Sequence, residues 1–163
     1  MELSSLVAPL VAALGSWPGA RWLHGSDTAY LFVNATHVLG ISLLLGSILV
    51  LDLKLLGGLR GVPLAVLGPL NARIATCGVA LAFATGFWLF TVQPREYVGN
   101  PAFLIKLGLI ALALANVGVQ HANPAYGRAL EGAPVSAGVR VSAAASALLW
   151  LAVLVAGRWI GFV

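Results

Sequence analysis

Between Tyr30 and Leu51 the chain carries no Asp, Glu, Lys or Arg. A helix crosses a bilayer with about 20 predominantly apolar residues, so this run is long enough to span one. It contains one imidazole, His37, and it closes with Asp52 and Lys54, after which Gly57-Gly58 supplies a helix stop. An ionisable side chain inside a spanning helix is costly to keep there, which makes His37 the first residue to ask a function of.

Three further apolar runs follow. Together they predict spans at about 28–56, 71–93, 102–121 and 136–160, in a single membrane domain covering 1–163. Residues 4–14 are too short an apolar run to cross and predict a helix lying in the interface or packed on the bundle, with Trp17 and Trp22 at headgroup level. The fold class is therefore all-α: an integral membrane four-helix bundle with an N-terminal interfacial helix. Composition agrees, because 9% of the 163 residues are charged, against about 25% in a soluble domain. The spans leave no room for a soluble catalytic domain. The N-terminus has no basic stretch of the kind that opens a secretory signal. The single cysteine, Cys77, excludes an intramolecular disulfide and any multi-cysteine metal or iron–sulfur site. The net charge of +4 comes from scattered basic residues, which suits orientation in a bilayer and does not point to nucleic acid. Loops 57–70 and 122–135 with their flanks hold Lys54, Arg60, Arg73, Arg128 and Arg140; the other side has Arg21, Arg95, Arg158 and the intramembrane Lys106. The positive-inside rule then puts these loops in the cytoplasm and both termini outside. Ala, Gly and Ser recur in the fourth span (Ser142, Ser146, Ala147, Gly157), as expected where helices pack closely, and a homo-oligomer fits the same pattern.

Depth decides which polar groups meet. Spans one and three run the same way, and at 1.5 Å per residue His37 and His121 differ in depth by roughly 15–20 Å, too far to be two axial ligands of one haem. Lys106 opens span three in the same half as His37. Antiparallel spans two and four bring Trp88, Trp150 and Arg158 to that half. Gly40 is one turn from His37 on the same helical face, where a flat ligand would lie against the backbone; Asn34 is one turn the other way. This set suits haem b. His37 is the metal ligand, Lys106 a second ligand or a partner of a propionate, and Arg158 a propionate partner at the membrane edge. Plainer roles stand beside these. His37 would hydrogen-bond a neighbouring helix, Lys106 would snorkel to the interface, and Arg158 and Trp159 would anchor a helix end. His24 and His121 would be interfacial, Asp52 and Lys54 boundary markers, and Cys77 a small buried residue.

Three segments, H-V-L-G-I-S-L-L-L-G-S-I-L-V-L-D-L-K-L-L-G (37–57), N-P-A-F-L-I-K-L-G-L-I (100–110) and L-W-L-A-V-L-V-A-G-R-W-I-G-F (149–162), resemble a bacterial family of small four-helix membrane proteins of unknown function. The order of a His in span one and a Lys opening span three also resembles the haem-linked membrane protoporphyrinogen oxidases and the copper-resistance D membrane proteins of bacteria. In the oxidases such a pair is functional, which implies His37 and Lys106 here; the oxidases' first-span tail motif is replaced by Leu51-Asp52-Leu53-Lys54. The resemblance implies a multi-pass protein of the bacterial inner membrane. The leading expectation is a b-type haem protein doing electron transfer with a quinone or another redox protein, or haem-linked oxidation, in contact with the lipid bilayer. Its alternatives are a non-enzymatic membrane subunit or small transporter using His37 and Lys106 as a proton or anion site, and, third, copper uptake. Copper usually recruits soft Cys and Met ligands, which this chain scarcely has.

Overall fold

A computed structural model describes residues 3–162, with backbone alone at 3–8 and 10. It contains α1 (Leu3–Ser16), α2 (Pro18–His24), α3 (Asp27–Leu55), α4 (Leu64–Phe90), α5 (Pro94–Gly99), α6 (Pro101–Ala122), α7 (Pro124–Leu130), α8 (Ala137–Trp159) and a closing 3-10 turn, Ile160–Phe162. Four of these, α3, α4, α6 and α8 with its closing turn, are long and apolar enough to cross a membrane. In α4 and α6 only 11% of the most apolar window is buried within the protein. Side chains such as Phe32, Phe83, Leu112, Val119 and Val155 point outward. A surface of this kind has lipid as its solvent, and the chain has the architecture of a multi-pass membrane protein.

Helix ends follow from local chemistry. The Ser26 hydroxyl accepts from the Ala29 amide and starts α3. Asn100, Asn123 and Ser136 do the same for α6, α7 and α8. Gly57, at φ +92°, ends α3 in the left-handed conformation that favours glycine. The second span differs from expectation. It begins at Leu64 rather than at residue 71, because Gly68 and Pro69 do not break it. Pro69 forfeits only the bond to the Ala65 carbonyl, near the helix start. Gly68 is held by packing: a Cβ there would lie 2.5 Å from Leu130 Cδ2 of α7. Residues 94–99, and 124–130 within the loop expected at 122–135, are short helices, each opened by a proline whose fixed φ presets the first turn. The N-terminal helix runs Leu3–Ser16, and its Gly15 packs on Pro94 of α5.

The interior is layered. At the end holding both termini, Leu23, Ala29 and Leu89 pack with Val33, Trp88 and Val92. In the middle, Leu44, Ala113, Trp150 and Val153 pack with Val79 and Ile110, so all four long helices meet. At the loop end, Leu55, Tyr126, Val139 and Ala143 form the third cluster. Buried positions on α8 (Val139, Ala143, Ser146, Trp150, Val153, Ala156) recur at three- and four-residue spacing, which keeps one stripe inward. The small residues of span four, Ala143 and Ser146, are thus spent inside the bundle.

The closest helix contact is between α3 and α4. A Cβ at Gly40 would lie 2.7 Å from the Ala82 nitrogen, and one at Gly78 would lie 2.5 Å from the Leu44 nitrogen. Backbone meets backbone, as small-residue packing in membranes requires. Gly78→Ala should therefore lower the thermal midpoint in detergent. Overpacking costs about 1–3 kcal/mol, more than the up to ~1 kcal/mol that alanine gains over glycine in a helix. Gly46, with open space around its would-be Cβ, serves as control, and Gly46→Ala should leave the midpoint unchanged or raise it.

Candidate functional site

Between the terminal and central apolar layers lies a polar one. His37 projects from α3 toward α4, and its Nδ1 lies 3.1 Å from Thr85 Oγ1. The Thr85 hydroxyl gives its own hydrogen to the Leu81 carbonyl at 2.6 Å. Its oxygen is therefore the acceptor, and Nδ1–H is the donor. In the neutral ring this leaves the lone pair on Nε2. The imidazole lies over Gly86, where a Cβ would stand 2.8 Å from Cε1. Lys106 lies over a glycine in the same manner: a Cβ at Gly157 of α8 would be 3.5 Å from its Nζ. Each long polar side chain thus occupies a notch on an antiparallel neighbour. The Lys106 ammonium lies within electrostatic reach of the His37 ring.

The other expected site residues divide. Trp88 is in the right half, but its Nε1 donates to the Gly19 carbonyl at 3.0 Å and its ring packs with Trp17 and Trp22. Arg158 is exposed at the membrane edge, with its guanidinium 4.5 Å from the Phe162 ring centre. Asn34 is exposed on the outer face of α3, along a shallow groove with Tyr30, Leu31 and Val38. Gly40 is occupied: α4 covers the backbone against which a flat ligand was expected. Trp150 is 4% exposed and sits in the central layer, not beside His37. The reason is depth, since Trp150 lies seven residues before Gly157, or about 10 Å along the helix. His121 is at the other end, bonded through Nδ1 to the Val117 carbonyl and packed edge-on against Tyr126.

Two groups escaped the sequence reading. Gly86 belongs to a small-residue repeat, Gly78, Ala82, Gly86, that marks the face of α4 turned to α3, and Thr85 stands next to it. Asp52 was expected only to mark the membrane boundary. It is 3% exposed. The Ser146 hydroxyl lies beside its carboxyl, Tyr126 faces it, and Oδ2 has no partner among the described residues. Burial, and next the nearby Asp52, push the Tyr126 phenol above its usual range.

One protein-family model matches residues 24–163. The chain belongs to that family, DUF6644, a family of unknown function. No curated protein and no solved structure matches the chain. The match opens at His24 and so takes in both polar layers of the bundle.

The hydrogen-bond chain from His37 through Thr85 to Leu81 specifies a tautomer. Nitrogen-15 NMR of histidine-labelled protein should show His37 protonated on Nδ1 in its neutral form. Thr85→Val should remove that preference, while His121 keeps its own signal. A neutral His37 protonated on Nε2 in the wild type would contradict the assignment.

Proposed function

We propose that the His37 layer binds b-type haem through Nε2. One observation carries this reading: a single imidazole whose Nδ1 is held by Thr85, which leaves Nε2 for a ligand. Among the described residues no three His, Cys, Asp or Glu side chains come together as metal ligands. A metal held by one imidazole has to arrive with most of its ligands already in place, as iron does in a porphyrin. The Nδ1–H···Thr85 bond is the outer-shell contact that orients a ligating histidine. Lys106 and the edge residue Arg158 supply cations for propionates. Gly40 and Trp150 have no part in this version of the site. The bound group would supply one-electron redox chemistry; the chain's residues would hold it, orient it and balance its charge. The partner is then a quinone or a redox protein. The protein works in a bacterial inner membrane with its termini, and the His37 layer, toward the periplasm.

A second reading rests on a different observation. The backbone contact at Gly40 and Gly78 closes α3 on α4 one turn from His37. A small anion or a proton needs less room there than a macrocycle does, and His37 with Lys106 would hold it in a transporter.

Colour separates the two. Protein purified from haem-replete cells should show a Soret band that shifts on dithionite reduction. His37→Ala should abolish it and His121→Ala should spare it. Colourless wild-type protein removes the haem reading. Colourless protein whose pH-dependent anion flux in liposomes disappears in Lys106→Ala establishes the transporter reading instead.

A further inference from the structure

The inner half of the bundle holds a second polar site, centred on Asp52 and independent of the haem proposal. On α3, Asp52 is 15 residues beyond His37, about 22 Å along the axis, with the central apolar cluster between them. Its carboxyl is almost wholly buried, and one of its two oxygens has no hydrogen-bond partner. A buried carboxyl needs a counter-charge, a full set of donors or its own proton. The side chains around it supply neither of the first two. From α8 comes the Ser146 hydroxyl, and from α7 the Tyr126 phenol. His121 of α6 reaches only the edge of the Tyr126 ring, with Nδ1 on its own helix. Lys54, two residues along α3, turns away and gives its ammonium to the Leu59 carbonyl at 2.9 Å. Arg73 of α4, Arg128 of α7 and Arg140 of α8 are exposed.

We propose that Asp52, with the hydroxyls of Ser146 and Tyr126, binds an alkali cation that exchanges with the side of the membrane bearing loops 57–63 and 131–136. The donor set is all oxygen, which selects hard cations over copper or zinc. One carboxylate balances one positive charge, whereas calcium and magnesium sites use several oxygens with more than one formal charge among them. The position fits exchange from that side. Asp52 lies in the last turn of α3, and the chain leaves the helix through Gly57. The cation would supply a charge that Lys54, on the other side of α3, cannot.

The test is carboxyl labelling of the full-length protein in nanodiscs. Dicyclohexylcarbodiimide, an apolar reagent for buried carboxyls, is applied at one pH and ionic strength in NaCl, KCl or choline chloride. Label on the Asp52 peptide is followed by mass spectrometry. At saturating concentration one of the alkali cations should slow labelling about tenfold or more relative to choline, by occupying the reactive oxygen. Ser146→Ala should lose most of the protection, read as the ratio of that variant's own rates in alkali salt and in choline, and Asp52→Asn should take no label there. Equal rates in all three salts would show a carboxyl that exchanges protons only and would overturn the proposal. So would an absence of label in choline, which would mean that the site is closed. Neither result bears on the Soret band of the His37 layer, so the two readings fail separately.

Discussion

The contact on which the rest depends is the approach of α3 to α4 at Gly40 and Gly78. Lipid gives helices no hydrophobic reason to associate, so close packing and interhelical hydrogen bonds have to hold them. With hydrogen atoms in place of side chains, each backbone reaches the other at van der Waals distance. That contact also sets register. Once Gly40 lies against Ala82, the turn before it on α3 delivers His37 to Thr85 and Gly86. Two turns earlier still, Ala29 and Val33 meet Leu89 and Trp88. In the other direction Leu44 and Ile48 enter the central cluster with Val79. The depth and partner of the imidazole therefore follow from two glycines that have no chemistry of their own.

Packing and polarity alternate along the axis. Apolar clusters seal the two ends and the middle, and polar side chains occupy the two gaps. In the gap between the terminal and central clusters, His37 and Thr85 satisfy one another, while Lys106 runs along α8. Towards the loop end, Asn116 donates to the Ser142 carbonyl at 3.0 Å and accepts from the Ser142 hydroxyl at 3.1 Å, joining α6 to α8. Interhelical hydrogen bonds of this kind are worth about 0.6–2 kcal/mol in a membrane, enough to choose between rotations of a helix. Asp52 differs from Asn116 in that its neighbours leave it incomplete. The contrast is between a polar group satisfied by the neighbouring helix and one with an oxygen left unpaired among the described residues.

The spans and the depth of each polar residue were legible because both depend on one-dimensional quantities: runs without charge and rise per residue. Lys106 and His37 share a level as that arithmetic requires. What was not legible is azimuth. Gly40 looked like a platform for a ligand, yet a glycine that admits a flat ligand also admits a helix, and α4 took the place. The deciding signal, Gly78, Ala82 and Gly86 at four-residue spacing, was present in span two, while the small residues of span four drew attention to an outer contact. Trp150 was assigned by its span rather than by its depth. Asp52 was read together with Lys54 as one boundary mark. Residues two apart on a helix point about 200° from each other, so one of such a pair can face the bundle while its neighbour faces out. Here the acid went in and the base turned to the loop.

The two polar layers have opposite sign. The His37 layer holds an imidazole and Lys106, with Arg158 at its edge; the other is centred on one carboxylate. Mutual neutralisation fails on magnitude. Two unit charges about 22 Å apart, at an effective dielectric near 20, attract by about 0.8 kcal/mol, whereas removing each from water costs several kcal/mol. Each layer is settled where it stands, by protonation state, by a partner or by a bound ion. In the outer layer that favours an anionic group against Lys106 and Arg158, a requirement that haem propionates or a small anion would meet. In the inner layer it favours a cation against Asp52. Lys54, two residues along α3, points to the opposite side of the helix and cannot reach the Asp52 carboxyl. Its ammonium goes to the Leu59 carbonyl, and Asp52 Oδ2 has no partner among the described residues.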